Sequence, residues 1–304
     1  MRMPNLAVNI CGVQFKNPII AASGTFGFGR EFSNYIDINR IGGITVTGIT
    51  LQPKVGNPPP RIAETPSGIL NSVGLQNPGV DYFLEVELPR LLTYDTGIIV
   101  NINGTTIDEY CKIAEKLSKY PIDLIELNIS CPNVKEGGLA FGAHPDMVYE
   151  VTKAVKKSST QPLVVKLTPN TSDIKETAKA AAEAGCNGLS LINTLIGMAI
   201  DINRRKPILA NITGGLSGPA IKPVALRMVW EVKNTVDIPI IGMGGAMKGT
   251  DVVEFLLAGA TGVGVGTANL VSPTACIDIL EELTAYMIKN DIEDIDELIG
   301  TLKI

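Results

Sequence analysis

Histidine, clustered cysteine and long apolar runs are scarce or missing in this sequence, and each absence removes a class of protein. His144 is the only histidine, and we interpret it as a loop residue before a helix rather than as part of a catalytic triad or metal site. No apolar run approaches the ~18 residues of a membrane span. The five cysteines are odd in number, widely spaced and without a C-x-x-C pair, which argues against a disulfide framework, zinc or an iron–sulfur cluster in this chain: Cys11, Cys111, Cys131, Cys186 and Cys276.

Net charge and chain length further limit the class of protein and the type of fold. The net charge is −5 and no run of lysine or arginine forms a basic stripe, which argues against nucleic-acid binding. The first residues lack the pattern of a secretion signal, so we expect a cytoplasmic protein. A chain of 304 residues is long enough for one large α/β barrel. We expect a single domain that spans residues 1–304.

Eight apolar, β-branched-rich runs predict the fold. Continuous apolar runs are typical of parallel strands that are buried on both faces, and loops or helical stretches separate them here. This pattern favours a (β/α)8 TIM barrel over a doubly wound sheet, because no G-x-G-x-x-G follows the first run. The predicted strands are 19–24, 44–49, 97–103, 124–129, 163–168, 188–193, 238–242 and 262–266, and the predicted helices are 106–119, 145–157, 172–184, 219–235 and 250–258.

Three additions to the barrel are expected. Apolar segments on both sides of Cys11-Gly12 predict an N-terminal hairpin that closes the bottom of the barrel. Long insertions follow the second strand, at residues 51–95, and the sixth strand, at residues 197–218. Insertions of this length usually build a binding site or a partner surface. Thr171-Ser-Asp and Thr250-Asp are suitable helix starts.

A thiol and an ammonium group stand at predicted strand ends, where the chemistry of a barrel is found. Cys131 follows the fourth strand within the segment ELNISCPN (126–133), before a glycine-containing loop that we expect to act as a lid. A cysteine there is either a general base or a buried structural thiol. Lys166 ends the fifth strand. No pair of carboxylates is placed for glycoside hydrolysis.

Glycines in the last two strand-end loops predict a phosphate site. Without Cβ atoms, the backbone N–H groups of Gly244, Gly245 and Gly266 can approach phosphate oxygens closely, and Gly214-Gly215 and Gly218 add a further approach. A phosphorylated cofactor beside one lysine and several amides favours FMN over pyridoxal phosphate. A Schiff base on Lys166 is the competing interpretation, but it leaves Cys131 without a role.

Six segments together resemble one family over essentially the whole chain. They are NPIIAASGTFGFG (17–29), ILNSVGLQNP (69–78), NISCPN (128–133), INT (192–194), GGLSG (214–218) and IIGMGG (240–245). The sequence resembles the dihydroorotate dehydrogenases, specifically their NAD-linked heteromeric class. The resemblance implies oxidation of dihydroorotate to orotate in pyrimidine biosynthesis by an FMN-containing oxidoreductase.

The resemblance also implies residue roles. Cys131 would take a proton from C5 of dihydroorotate while C6 passes a hydride to FMN. The implied FMN contacts are Ser23, Thr47, Gly48, Asn101, Asn128, Lys166, Ile192, Gly218, Gly244, Gly245, Gly266 and Thr267. The implied substrate contacts are Thr47, Asn71, Ser72, Val73, Gly74, Leu75, Asn128, Asn193 and Thr194. No metal is implied. Electrons would leave through a second subunit that carries FAD and a [2Fe–2S] cluster and reduces NAD⁺, around a homodimer of this chain within a heterotetramer.

Thr47 departs from the family pattern, because a lysine usually stands there and contacts FMN and the orotate carboxylate. A charge-assisted contact of that kind is worth roughly 1.5–3 kcal/mol. Either another cation, such as Lys54 or Arg61, replaces the lysine, or the chain prefers a substrate without a carboxylate, such as dihydrouracil. A non-redox barrel enzyme that holds a phosphosubstrate, or a weakly active paralogue that serves as a partner's scaffold, remains an alternative.

Overall fold

The computed structural model describes residues 3–130 and 141–304, and in these ranges strands and helices alternate along the chain. The strands are β1 (Val8–Ile10), β2 (Val13–Phe15), β3 (Ile19–Ala21), β4 (Gly43–Thr45), β5 (Ile62–Thr65), β6 (Gly68–Asn71), β7 (Gly97–Ile102), β8 (Leu124–Asn128), β9 (Leu163–Lys166), β10 (Gly188–Leu191), β11 (Leu195–Met198), β12 (Ile200–Asp201), β13 (Lys206–Pro207), β14 (Thr213–Ser217), β15 (Ile240–Met243) and β16 (Gly262–Val265).

Eight of these strands close into a parallel barrel, in the order β3-β4-β7-β8-β9-β10-β15-β16. The predicted (β/α)8 fold is confirmed, and so is the position of each barrel strand to within a few residues. Most of the observed strands end earlier than predicted. Backbone hydrogen bonds between neighbours continue a little beyond the assigned ends, as from Ala22 N to the Val265 carbonyl at 2.9 Å and from Leu167 N to the Ser190 carbonyl at 2.8 Å.

Helices cover the outside of the barrel. They are α1 (Val80–Tyr82), α2 (Leu88–Leu91), α3 (Ile107–Leu117), α4 (Pro145–Ser158), α5 (Ile174–Glu183), α6 (Lys222–Lys233), α7 (Gly249–Leu257), α8 (Ala268–Val271) and α9 (Ala275–Lys289); a π-helical turn, Phe83–Glu87, joins α1 to α2, and 3-10 turns occupy Phe32–Asn34, Ile38–Arg40, Phe141–Ala143, Pro219–Ile221 and Ile295–Glu297. Across 3–130 and 141–304, none of the helices has both the length and the apolar character needed to cross a bilayer.

Helix caps explain where two helices begin. Asp173 caps α5, because its carboxylate accepts a hydrogen bond from the Lys175 amide at 2.9 Å, as the sequence predicted for this segment. The predicted start of α7 at Thr250 is wrong. Asp251 reaches back to the amides of Met247 and Lys248 at 2.8 and 3.1 Å, so the helix already begins at Gly249. Helix α9 was not predicted from the sequence.

The two insertions form one structure. β5 and β6 come from the first insertion, β11 and β14 come from the second, and they pair in the order β11-β14-β6-β5. The strands β6 and β14 are antiparallel, with Asn71 opposite Gly215. The separate insertions of the sequence therefore become a single four-stranded sheet beside the barrel mouth. The sequence could not show this pairing, because the two pairs of strands are more than a hundred residues apart.

The N-terminal hairpin closes the bottom of the barrel, as predicted. β1 and β2 pair antiparallel, and the ring of Phe15 at the end of β2 is 1% exposed. A methyl group on Gly43 or Gly97, which begin β4 and β7, would lie 2.9 or 2.3 Å from Phe15 Cε1. Two glycines at neighbouring strand starts thus make room for this one ring.

Truncating Phe15 tests this packing. We expect Phe15→Ala to lower the free energy of unfolding by about 3–5 kcal/mol, because the variant loses a buried ring and leaves a cavity between strands that cannot collapse fully. Urea unfolding followed by circular dichroism measures this value. Gln14→Ala, on the exposed position next to it, is the control and should stay within about 0.5 kcal/mol of the parent. Similar losses in both variants would contradict the packing role.

Candidate active site

A layer of amide side chains lies inside the barrel at the ends of β7 and β8. Asn101 and Asn103 are both 0% exposed. The Asn103 amide nitrogen donates to Asn101 Oδ1 at 2.7 Å, and the Asn128 amide nitrogen donates to the same oxygen at 3.5 Å. Gly48 allows this layer to approach the backbone after β4, since a methyl group there would lie 2.3 Å from Asn103 Nδ2. Four residues from three strands therefore form one polar surface.

Glu126 on β8 accepts a hydrogen bond from the amide layer and binds two further side chains. Its carboxylate accepts hydrogen bonds from Asn101 Nδ2 and, at 2.7 Å, from Ser190 Oγ. Lys166 Nζ lies 3.6 Å from Glu126 Oε2, and the two side chains are 7% and 1% exposed. Ser130 Oγ donates to the Lys166 carbonyl at 3.0 Å, which fixes the end of β9. The candidate cation of the site is therefore part of a buried ion pair.

One acceptor in the amide layer has no partner among residues 3–130 and 141–304. Asn103 Oδ1 is buried and makes no hydrogen bond within these ranges. Buried acceptors of this kind are uncommon, and their cost is recovered when a ligand supplies the donor. Beside it, the lysine can donate and the other amides can both donate and accept. The layer therefore fits a flat heterocycle with imide or lactam edges, such as the pyrimidine end of a flavin or a dihydropyrimidine.

A second group of candidate residues forms a backbone cradle. A methyl group on Gly245 would lie 2.8 Å from the Gly218 carbonyl oxygen, and one on Gly218 would lie 3.4 Å from Thr267 Cγ2. Thr267 Oγ1 donates to Ser217 Oγ at 2.9 Å. The loops after β14, β15 and β16 thus meet at one place. Gly218 and Gly245 have φ of 102° and 82°, which disfavours any larger residue.

Ile192 and the remaining strand-end residues line the space between these two groups. A methyl group on Gly244 would lie 3.4 Å from Ile192 Cγ1. Ile192 N donates to the Met243 carbonyl at 2.9 Å, so the loop after β10 is joined to β15. Gly266 has open space around it, since a methyl group there would have Ala22 Cβ as its nearest neighbour, at 3.8 Å. Ser23 follows Ala22 at the end of β3.

The candidate substrate residues lie where the four-stranded sheet meets the barrel. Asn71 Nδ2 donates to the Gly215 carbonyl at 3.3 Å, and a methyl group on Gly215 would lie 2.0 Å from Thr194 Oγ1. Asn193 Oδ1 accepts from the Thr194 amide at 2.8 Å. Asn170, at the end of the loop after β9, donates to the Thr194 carbonyl at 2.9 Å. Asn71, Asn193 and Thr194 are thus brought together.

The other predicted substrate residues form a turn after β6: Ser72, Val73, Gly74 and Leu75. Asn57 holds this turn, with its amide nitrogen donating to the Ser72 carbonyl and its backbone N–H donating to the Val73 carbonyl, both at 2.9 Å. Gly74 and Leu75 have φ of 76° and 56°. Asn71, the last residue of β6, connects this turn to Gly215 on β14.

Of the two proposed substitutes for the missing lysine, Arg61 is not free for that role. Arg61 donates to the carbonyls of Asn57 and Val55 and to Gln76 Oε1, so it anchors its own loop. Lys54 lies near Glu109. Burial raises the pKa of Glu109, but hydrogen bonds from Thr105 and the charge of Lys54 outweigh it and lower that pKa.

Thr47 itself is half-buried beside Gly48, and its backbone N–H donates to the Gly27 carbonyl at 3.1 Å. Its position between β4 and the amide layer is the one expected of a residue at the mouth. Of the neighbours just described, Lys166 is the cation that belongs to the layer.

Cys131 lies outside the described residues, and its role as a base stays a prediction. The other cysteines behave as small apolar residues. Burial raises the pKa of the Cys186 and Cys276 thiols to about 12, and it does the same for Cys11 against a small opposing effect of Lys156. These thiols are therefore neutral at physiological pH.

Two members of the site, Glu126 and Ser190, were not predicted from the sequence. A signal was present for Glu126, because a carboxylate stands in the middle of an otherwise apolar strand, where an unpaired charge would be costly. Ser190 gave no comparable signal, since serine is common in buried strands. Within residues 3–130 and 141–304, no group of three or more histidine, cysteine or acidic side chains is arranged to hold a metal ion.

The fold and the mouth residues define a (β/α)8-barrel enzyme with an amide-and-lysine layer and a glycine cradle at the carboxyl ends of its strands. The family described as dihydroorotate dehydrogenase matches residues 5–287. The chain therefore belongs to the dihydroorotate dehydrogenase family, whose members are flavin-dependent oxidoreductases.

Individual relatives agree with this assignment. A protein of Alkaliphilus metalliredigens named dihydroorotate dehydrogenase B (NAD(+)), catalytic subunit, is 61% identical over 302 residues, which cover 99% of this chain and 100% of that protein. A protein of Geotalea daltonii with the same name is 55% identical over 305 residues, with both chains covered in full. The crystal structure of the dihydroorotate dehydrogenase of Eimeria tenella in complex with ferulenol superimposes with a TM-score of 0.80 at 23% identity, over 98% of this chain and 88% of that one, which supports the fold.

Proposed function

We propose that this protein is an FMN-dependent dihydroorotate dehydrogenase, which oxidises dihydroorotate to orotate in pyrimidine biosynthesis. One observation carries the proposal: the amide-and-lysine layer and the glycine cradle lie at the same mouth of a barrel whose sequence matches this family from residue 5 to residue 287.

FMN fits the two groups of residues. Gly218, Gly244, Gly245, Gly266 and Thr267 would hold its phosphate through backbone N–H groups and a hydroxyl, and the absence of Cβ atoms lets the backbones of these loops lie close together. Lys166, Asn101 and the partnerless Asn103 Oδ1 would contact the pyrimidine end of its ring. Ser23, Thr47, Gly48, Asn128 and Ile192 complete the proposed set. When bound, FMN supplies the acceptor for the two electrons of the oxidation.

Dihydroorotate would bind on the side of the four-stranded sheet. Its ring carries imide and amide edges, which match side-chain amides because each can donate and accept. Asn71, Asn128, Asn193 and Thr194 supply such groups, and the turn of residues 72–75 would close over the outer edge of the ring. Asn170 donates a hydrogen bond to the Thr194 carbonyl, and Asn71 donates one to the Gly215 carbonyl. These bonds fix Thr194 and Asn71 before a ligand arrives, which lowers the entropy cost of binding.

Cys131 is the proposed general base, which accepts the proton from C5 of dihydroorotate. A thiol has an ordinary pKa of about 8.5, so modest activation makes it a base near neutral pH, whereas a serine hydroxyl needs far more. The sequence places Cys131 three residues after Asn128, which ends β8 at the mouth. The same end of the barrel carries the rest of the proposed site.

A second subunit is the proposed route for the electrons. The relatives described above are named as the catalytic subunit of an NAD(+)-linked enzyme. We propose that the partner carries FAD and a [2Fe–2S] cluster, that it reduces NAD⁺, and that a homodimer of this chain forms the centre of a heterotetramer. Clustered cysteines are missing from the sequence of this chain, so the cluster belongs on the partner.

Filling the cradle tests the FMN site. We expect Gly245→Ala to lower FMN affinity at least tenfold, because the new methyl group would lie 2.8 Å from the Gly218 carbonyl oxygen and from Lys222 Cβ, so that the loops of the cradle would have to move apart. Titration of the apoprotein with FMN, followed by quenching of flavin fluorescence, measures the dissociation constant. Gly185→Ala is the matched control, since Gly185 has a similar φ of 91° but open space around it. Equal losses of affinity in the two variants would argue against the cradle.

Replacing the proposed base tests the chemistry. We expect Cys131→Ser to reduce flavin reduction by dihydroorotate about 100-fold or more at pH 7, because general base catalysis contributes roughly 10²–10⁴-fold. The residual rate should rise with pH. Anaerobic stopped-flow absorbance at the flavin band measures it, and the bound FMN content shows whether the site is intact. Cys111→Ser, on α3 outside the barrel, is the control. An unchanged rate in Cys131→Ser would remove the proposed base.

Replacing Thr47 by the lysine of the family pattern tests whether the substrate carries a carboxylate. We expect Thr47→Lys to lower the KM for dihydroorotate about ten- to hundredfold, because an ammonium group adds roughly 1.5–3 kcal/mol of contact with the substrate carboxylate. The KM for dihydrouracil, which has no carboxylate, should not fall. Thr93→Lys, which adds the same charge at an exposed position, is the control and should leave both KM values unchanged.

Assays of the parent protein distinguish between dihydroorotate and dihydrouracil as the substrate. Thr47 favours dihydrouracil as the second candidate, since threonine leaves a carboxylate without a cation at this position. Steady-state oxidation of each compound with an artificial electron acceptor gives both values of kcat/KM. Faster oxidation of dihydrouracil by the parent, together with no gain for dihydroorotate in Thr47→Lys, would contradict the proposed substrate.

A further inference from the structure

Glu126 is a carboxylate in the interior of the barrel. It stands in the middle of β8, between Ile125 and Leu127, and all three residues are 0% exposed. Moving a charge from water into such an environment is costly unless the charge is paired and hydrogen-bonded. The structure therefore has to contain groups that offset this cost, and their positions indicate what the carboxylate does.

Three groups from three strands converge on Glu126. Asn101 on β7 and Ser190 on β10 donate hydrogen bonds to its two oxygens, and Lys166 on β9 supplies a positive charge 3.6 Å away. The parallel register sets Asn101 directly beside Glu126, and Ser190 directly beside Lys166. A carboxylate accepts up to about four hydrogen bonds, so two are filled by neutral donors and the lysine contributes mainly charge.

The distance between Lys166 and Glu126 matters for ligand binding. At 3.6 Å the Lys166 ammonium group is paired with Glu126 but is too far for a hydrogen bond to it, so Glu126 does not occupy its N–H groups. Asn101 is oriented in the opposite sense. Its amide nitrogen is committed to Glu126, which turns its oxygen towards Asn103 and Asn128. One carboxylate thus sets both the charge and the direction of the amide layer.

We propose that Glu126 is the positioning residue of the flavin site and that it sets the reduction potential of the bound flavin by neutralising the charge of Lys166. The inference rests on the proposed function, since it requires FMN at the mouth. Reduction adds negative charge to the flavin. A lone lysine would stabilise that charge strongly, whereas the neutral Lys166–Glu126 pair stabilises it less. Glu126 therefore keeps the flavin reducing enough to pass its electrons onwards.

Glu126→Gln removes the charge while keeping the size and one of the two oxygens that accept hydrogen bonds. We expect the variant to bind FMN and to raise its reduction potential, with at least a tenfold larger equilibrium constant for reduction, which is about 30 mV for two electrons. Anaerobic titration with a reference dye measures the potential from the flavin spectrum. An E126Q potential equal to that of the parent would overturn the inference.

Glu87→Gln is the matched control. Glu87 is also buried, at 4% exposure, and it also pairs with cations, Arg30 at 3.0 Å and Arg90 at 3.5 Å. It belongs to the π-helical turn Phe83–Glu87, outside the barrel. The same chemical change there should leave the flavin potential at the parent value. An equal shift in both variants would mean a general loss of structure and would overturn the inference.

A charge-compensated double variant keeps the test valid if Glu126→Gln alone does not fold. Lys166→Gln leaves Glu126 unpaired and should lower the equilibrium constant for flavin reduction at least tenfold. Adding Glu126→Gln removes the unpaired charge and should recover most of that loss. A double variant equal to Lys166→Gln would overturn the inference. A parent protein that binds no FMN would instead refute the proposed function, which separates the two failures.

Discussion

The carboxylate of Glu126 inside the barrel is the interaction on which the candidate site depends. Closing eight parallel strands brings their carboxyl ends to one mouth, and polar groups that face inward there must find partners within the protein or on a ligand. Glu126 provides partners for Asn101, Ser190 and Lys166 at once. Among residues 3–130 and 141–304, Asn103 Oδ1 is left without a partner, and we expect this part of the layer to face the ligand.

Glycine shapes the site by a different physical rule. Charge and hydrogen bonds hold the groups around Glu126 together. In the cradle, the glycines have no Cβ atoms, so the backbones of separate loops can lie close together. Gly218 and Gly245 come within contact distance of one another, and Gly48 gives the amide layer the same close approach. At the other end of the barrel, the absence of Cβ atoms from Gly43 and Gly97 makes room for the ring of Phe15. At both ends of the barrel, glycine therefore allows neighbouring groups to pack closely against the backbone.

The four-stranded sheet joins these parts to the proposed substrate. Its two halves arrive from different insertions, and the contact of β6 with β14 places Asn71 against Gly215 and close to Thr194. Residues that read as two unrelated loops thus share one wall of the mouth. The proposed assignment of dihydroorotate to this wall and of FMN to the cradle follows from the different chemistry of amide side chains and backbone N–H groups.

The (β/α)8 fold, the bottom hairpin and the family could be predicted from the amino-acid sequence, because apolar runs report burial directly and motif segments are local. The positions of Lys166 and the last glycines at strand ends could be predicted in the same way. The three-dimensional structure was needed to show that the two insertions form one sheet, that Arg61 anchors its own loop, and that Glu126 and Ser190 belong to the site. These features depend on which strands become neighbours when the barrel closes, and pairing between distant segments has no local pattern from which it can be read.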